Sequence, residues 1–456
     1  MKITSGVTLI ALATLAAGQS LQRCSGSHTR PNAARMSSAQ WQSIATVLRQ
    51  MNEDGWIARF GQAHDQLFSQ VHGNTVFFPF HRRFVLEFEN VARTYDPSFV
   101  VPYFDATESY RDPASHPLLT AGALGTNGQS TDRCLVNGVQ ANTQLSYPSS
   151  HCLRRNYNNG NSINPWYAPE IITSYIQTSQ TLADFRENIE YSIHGAVHLG
   201  LAGEMDTGYA AHDFTFHAAS CQYRPPVHNS YMTYDGSGPS GPAQLSDAIP
   251  SASSIAFNGD RVSSMMVLGY GEVCYNYDTS PAPPSSYPGG AASAPQQNGP
   301  AAAAQQPIDN QGQSGGPSNN AAQQPAANQG SRGRPSNTAA PQQQQQQQQP
   351  AARPFLPSGS SNLASRVLES TGLSNALGGD VSRFFPSFGS GLFRVHRRGY
   401  KEKPATSCGD PIPFPPRLTP EWIAMHKFDP DRVEEFHKNA CQIVEVLNNS
   451  TYTSPY

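Results

Sequence analysis

No segment of this 456-residue chain approaches the twenty consecutive apolar residues that a membrane helix needs; the apolar stretch Val7 to Ala17 is too short to span. A membrane-embedded protein is therefore not expected. Large basic blocks are also missing and the formal net charge is −3, which argues against a nucleic-acid partner and leaves a small substrate as the better expectation. Among the seven cysteines no pair has the Cys-x-x-Cys spacing of a redox or zinc site. What the N-terminus does contain is Lys2, the apolar stretch and then Ala16-Ala17-Gly18. That order predicts an export signal over residues 1–18, a mature start near Gln19 and an extracellular location. In an exported chain the cysteines point to disulfides, and position alone suggests Cys134 with Cys152 and Cys408 with Cys441. Overlapping acceptor patterns at Asn448-Asn449-Ser450-Thr451 fit glycosylation.

Composition changes sharply near Asp278. From 279 to about 355 the chain is dominated by Pro, Gln, Ala, Asn, Gly and Ser, with an unbroken run from Gln342 to Gln349. Too few apolar groups are present there to offset the entropy of ordering, so a disordered linker is expected. It separates a front domain, 19–278, from a C-terminal extension, 356–456. In the front domain, helical periodicity is read at Ser38 to Met51, Trp56 to Phe68, Arg82 to Arg93 and Thr181 to His198. Between Asp96 and Gln180 lie Pro, Gly, Asn and Ser in abundance, hence long loops. The fold class expected is mainly α: a four-helix bundle with long loops, holding a metal site where facing helices converge. In the extension, Thr419 is placed to cap a helix through Glu421 to Lys427, and Asp429-Pro430 to open another reaching Leu447. The Arg397-Arg398 pair reads equally as a processing site or a solvated turn.

Fourteen histidines occur, and two groups stand apart. His64, His72 and His81 flank a break at Gly73 to Pro79, so that two helices and their connection can bring three imidazoles together. His194 and His198 are four apart, which stacks them on one helix face, and His212 or His217 follows as a third donor. His28, His116, His151, His228, His396, His426 and His437 lack such settings and read as surface residues. Imidazole donors suit zinc, copper, iron or nickel, not calcium or magnesium. Gly195 stands where a zinc peptidase would carry the glutamate of His-Glu-x-x-His, and Glu187-Asn188-Ile189-Glu190 ends in Glu where a di-iron bundle would have His. Two sets of three neutral nitrogens with open positions best match two copper ions.

These residues resemble the tyrosinase, catechol oxidase and haemocyanin group of dinuclear copper proteins over roughly residues 38 to 278. His72-Gly73, then Phe78-Pro79-Phe80-His81-Arg82, Phe84 and Glu89 are similar to the first copper motif, and Pro102-Tyr103-Phe104-Asp105 to the segment that follows it. Glu190, His194, His198 and Gly203-Glu204-Met205 resemble the second motif, and Leu268-Gly269-Tyr270 with Tyr275-Asn276-Tyr277 the signals that close the domain. Phe80 and Phe104 replace the usual tryptophans. The stretch Ala211 to Ala218 is an eroded form of Asp-Pro-x-Phe-x-x-His-His, lacking the proline and one histidine. His217, directly before alanine, is taken as the sixth ligand, with His212 as its rival. Gln70 stands where part of the family has a thioether cysteine, so no Cys-His crosslink is expected there.

The resemblance implies a secreted polyphenol oxidase that uses two coppers and dioxygen to convert o-diphenols to o-quinones. Glu190 corresponds to a glutamate that holds an active-site water and serves as a base. Gly195 stands where strong monophenol hydroxylases often carry asparagine, so diphenol oxidation is expected to dominate, with monophenols a weaker substrate. Fungal-type members often cover the copper site with a C-terminal extension until proteolysis. Two other functions stay open at this point: a haemocyanin-like oxygen carrier, and a secreted structural protein that has lost its copper.

Overall fold

The computed structural model describes residues 21–179, 181–222, 234–257, 259–278, 410–450 and 452–456. The expected signal at 1–18, the linker at 279–355 and Arg397-Arg398 lie outside the described residues. All the described residues belong to one compact unit.

The described chain is mainly helical. Helix α1, Ser38–Glu53, starts on a capping box in which Ser37 and Gln40 bond each other's backbone, and it buries Trp41, Ile44, Val47, Leu48 and Met51. Gly55, at φ +79°, turns the chain into α2, Trp56–Val71, a conformation only glycine adopts without strain. Helix α3, Phe77–Arg93, begins earlier than the sequence reading placed it. Pro79 falls in the first turn, where the missing N–H would have had no helical partner, so it helps to open the helix instead of breaking it. Helices α4, Pro169–Thr178, and α5, Leu182–Ile189, follow the long loops. A π-turn over Glu190–His194, with Ser192 at φ −129° and ψ −105°, then leads into α6, Gly195–Leu201. Helix α7 spans Phe214–Gln222.

Three devices fix the loops. Cys134 and Cys152 form the expected disulfide beside a short antiparallel pair, Gln144–Leu145 with His151–Cys152. Arg155 is buried, donates to the carbonyls of Leu124 and Gly125, and meets Asp213 at 2.7 Å. The two ends of the domain are joined where His28–Arg30 pairs in parallel with Tyr275–Tyr277, next to a disulfide between Cys24 and Cys274, 250 residues apart. Cys441 is a free thiol, and Cys408, its expected partner, lies outside the described residues.

The tail helices occur where the sequence placed them. Helix α8, Pro420–His426, is capped by Thr419, and α9, Pro430–Asn448, by Asp429. Ala440, Ile443, Val444 and Leu447 of α9 join the main core. Leu418, Trp422, Phe428, Val433 and Phe436 form a second cluster with Tyr191 of the π-turn. Arg432 adds an ion pair to Glu187 at 3.2 Å, and the Tyr452 hydroxyl donates to Glu170 at 2.9 Å.

Candidate metal centre

His64 lies on the buried face of α2, His72 directly after its last turn and His81 in the second turn of α3. One ring nitrogen from each lies within 4.8 Å of the others, and all three side chains are buried. His64 Nδ1 faces the Gly208 carbonyl at 2.6 Å, His72 Nδ1 that of Phe68 at 2.9 Å and His81 Nδ1 that of Phe77 at 2.7 Å. A carbonyl only accepts, so each Nδ1 carries the proton and each neutral ring is left with its lone pair on Nε2. Such a carbonyl partner is also what orients ligating histidines in metal sites. In this structure the Nε2 atoms of His64 and His81 are buried with no hydrogen-bond partner. Desolvation by burial lowers all three from the usual imidazole range, His64 to about 3, so the rings stay neutral and ready to bind metal. The donor set fits copper.

His194 and His198 stand side by side with ring centroids 4.6 Å apart, and His194 lies 5.8 Å from His72. His198 Nδ1 donates to the Met205 carbonyl at 2.5 Å, the same disposition as in the first group. The π-turn shifts the helical phase just before His194, a feature common at functional sites. Five of the six expected imidazoles are thus brought together.

The sixth is not. His217 is buried among Phe60, Phe84 and Phe88, stacked on Phe88 at 3.8 Å, and its Nε2 donates to the Ala211 carbonyl at 3.1 Å. The phase of α7 presents Phe216 to the site instead, 4.8 Å from His64 and 6.0 Å from His198. Its rival His212 belongs to a separate group, donating to Glu204 at 3.2 Å, and Glu204 in turn meets His151 at 3.0 Å. Gly61 makes room for that ring, since a Cβ there would lie 2.0 Å from it.

Glu190 is buried and doubly held: it accepts from the Gly73 N–H at 2.7 Å and from Arg186 at 2.8 Å. Burial pushes its carboxyl above the usual range, while Arg186 and the Gly73 N–H pull it back. The carboxylate fixes the backbone next to His72.

Two residues that the sequence reading set aside are buried. His116 is walled in by Phe104 and hydrogen-bonded by Asp105 and Leu118. His426, at the end of α8, lies 4.9 Å from His72 and 6.1 Å from His194, and Trp422 lies 5.1 Å from His198. The four-residue spacing of Trp422 and His426 on a capped helix was visible in the sequence, but nothing local said what that face would meet. Gly195 is explained by the same contact, because a Cβ there would come within 2.4 Å of Leu418 and 3.1 Å of Trp422.

Comparison with known proteins agrees with this geometry. Residues 38–219 match the family model for the common central domain of tyrosinase. A tyrosinase of Streptomyces antibioticus is 29% identical over 162 residues, 32% of this chain and 58% of that protein. A tyrosinase-like protein of Diaporthe leptostromiformis is 24% identical over 180 residues, 36% of this chain and 46% of that one. The chain thus spans about half the length of these relatives. A polyphenol oxidase structure from Thermothelomyces thermophila superposes with a TM-score of 0.45 and 16% identity over 55% of this chain and 88% of that one. Residues 38–219, which carry both histidine groups, are thus similar to the common central domain of tyrosinase.

Proposed function

We propose that this chain is a secreted, copper-dependent polyphenol oxidase that converts o-diphenols to o-quinones with dioxygen, kept latent by its C-terminal extension. The observation that carries the reading is the convergence of His64, His72 and His81, each with Nδ1 spent on a backbone carbonyl. His194 and His198 are the proposed donors to a second ion, in a four-helix cradle built from α2, α3, α5 with α6, and α7. Bound copper would supply the redox couple through which electrons pass from the phenol to dioxygen. The protein's share is to hold neutral nitrogens in place, to exclude water with Phe77, Phe84 and Phe216, and to move the phenol's proton. Glu190 is the group proposed for that last task, acting through a water on its remaining lone pairs while Arg186 and Gly73 fix its orientation.

Latency is supported by Trp422 and His426, which stand over His72, His194 and His198 where a phenol would enter. The same cover suits an oxygen carrier, so the two readings are separated by uncovering the site. Copper per chain and oxygen uptake with catechol should be measured before and after proteolysis between the front domain and α8. Copper binding with uptake that rises on cleavage supports the oxidase. Copper-loaded protein that forms no quinone even when cut would be a carrier, and protein that binds no copper would refute both.

A further inference from the structure

His426 packs against the histidine cluster with one ring nitrogen to spare. It is 4% exposed, and its Nδ1 donates to the Trp422 carbonyl at 2.9 Å. That leaves the lone pair on Nε2, which is buried and has no hydrogen-bond partner. Leaving such an atom buried and unsatisfied costs about 1–3 kcal/mol, and a phenylalanine would fill the same space without that cost. The ring sits in an aromatic nest, 4.0 Å from Trp422, 4.6 Å from Phe68 and 4.8 Å from Phe428, and 4.9 Å from the imidazole of His72. His64, His72, His81 and His198 share its disposition, with Nδ1 on a backbone carbonyl. Phe216 stands against His64, His81 and His198. His426 approaches His72 and His194 from the tail.

Resting on the copper reading above, we propose that His426 is a copper ligand supplied by the tail, so that the bound metal itself fastens the tail over the site. Its Nε2 takes a coordination position that a phenol oxygen would otherwise use. The coupling is reciprocal: copper tightens the docking of the tail, and the docked tail raises the affinity for copper.

The test is amide hydrogen exchange over Ile423 to Phe428 in the intact chain, copper-free and copper-loaded, for wild type and His426→Phe. Copper per chain and the copper-free melting temperature are measured alongside. Copper should slow exchange in the wild type by about 5- to 150-fold, the usual range of coupled binding, and should leave His426→Phe unchanged. Equal protection in the variant, or none in the wild type although copper is bound, overturns the ligand assignment while leaving the oxidase reading standing. A wild type that binds no copper overturns both. Should the phenylalanine variant fail to fold, the copper dependence of exchange in the wild type still decides.

Discussion

Substituting Gly195 tests how the tail is seated, because the added atoms collide with the tail. A Cβ at this position would lie 2.4 Å from Leu418 Cδ2 and 3.1 Å from Trp422 Nε1, whereas carbon atoms rest about 3.5–4.0 Å apart. Overpacking of this kind costs about 1–3 kcal/mol, and here the cost falls on the docked state alone. Alanine in place of glycine also favours the helix by about 0.5–1 kcal/mol, docked or not. Docking of α8 should therefore weaken by about 5- to 150-fold, at about 1.36 kcal/mol per factor of ten. Leu418 can rotate its terminal methyl away, so Gly195→Ala belongs at the low end, and Gly195→Asn, with three more heavy atoms, at the high end. Hydrogen exchange over Leu418 to His426 reads the effect directly: it should quicken from glycine to alanine to asparagine while exchange in α1 stays constant. Unchanged or slower exchange in the tail of both variants would show that Gly195 does not make room for it.

Three further outcomes are expected. His217→Phe should leave copper per chain unchanged, since the ring already stacks among phenylalanines; loss of one copper would restore His217 as a ligand. Asp213→Ala removes the partner of buried Arg155 and should cost about 3–5 kcal/mol, read by denaturant unfolding, and a loss below about 1 kcal/mol would mean that solvent reaches the guanidinium. Burial lowers His116 to about 4 from 6.5 in the unfolded chain. Its neutral form accepts from the Leu118 N–H and donates to the Asp105 carbonyl. Its contribution to stability is therefore complete above pH 6.5 and is lost as pH falls towards 4, about 2 kcal/mol between pH 7 and pH 5. The copper-free His116→Gln variant should lack that share of the loss, and equal pH dependence of the two proteins would contradict the argument.

The first histidine group was legible because its geometry is local. His64, His72 and His81 are carried by two successive helices and the turn between them, and His194 with His198 by one helix face. The caps of the tail helices were legible for the same reason, being set by Thr419, Asp429 and Pro430. The sixth donor was the least legible because the motif around it is eroded, and a shift of one residue in the phase of α7 exchanges His217 for Phe216 beside His64 and His198.

Sequence alone therefore determined the helical class, the grouping of His64, His72 and His81 and of His194 with His198, and the family they resemble, all of which follow from short-range periodicity and motif order. Tertiary structure alone decided that Cys24 meets Cys274 across 250 residues, that Gly195 is a seat for Trp422, and that His426 lies beside His72 and His194. Each of these joins residues far apart in the chain, and their meeting depends on how the helices pack and not on any local pattern.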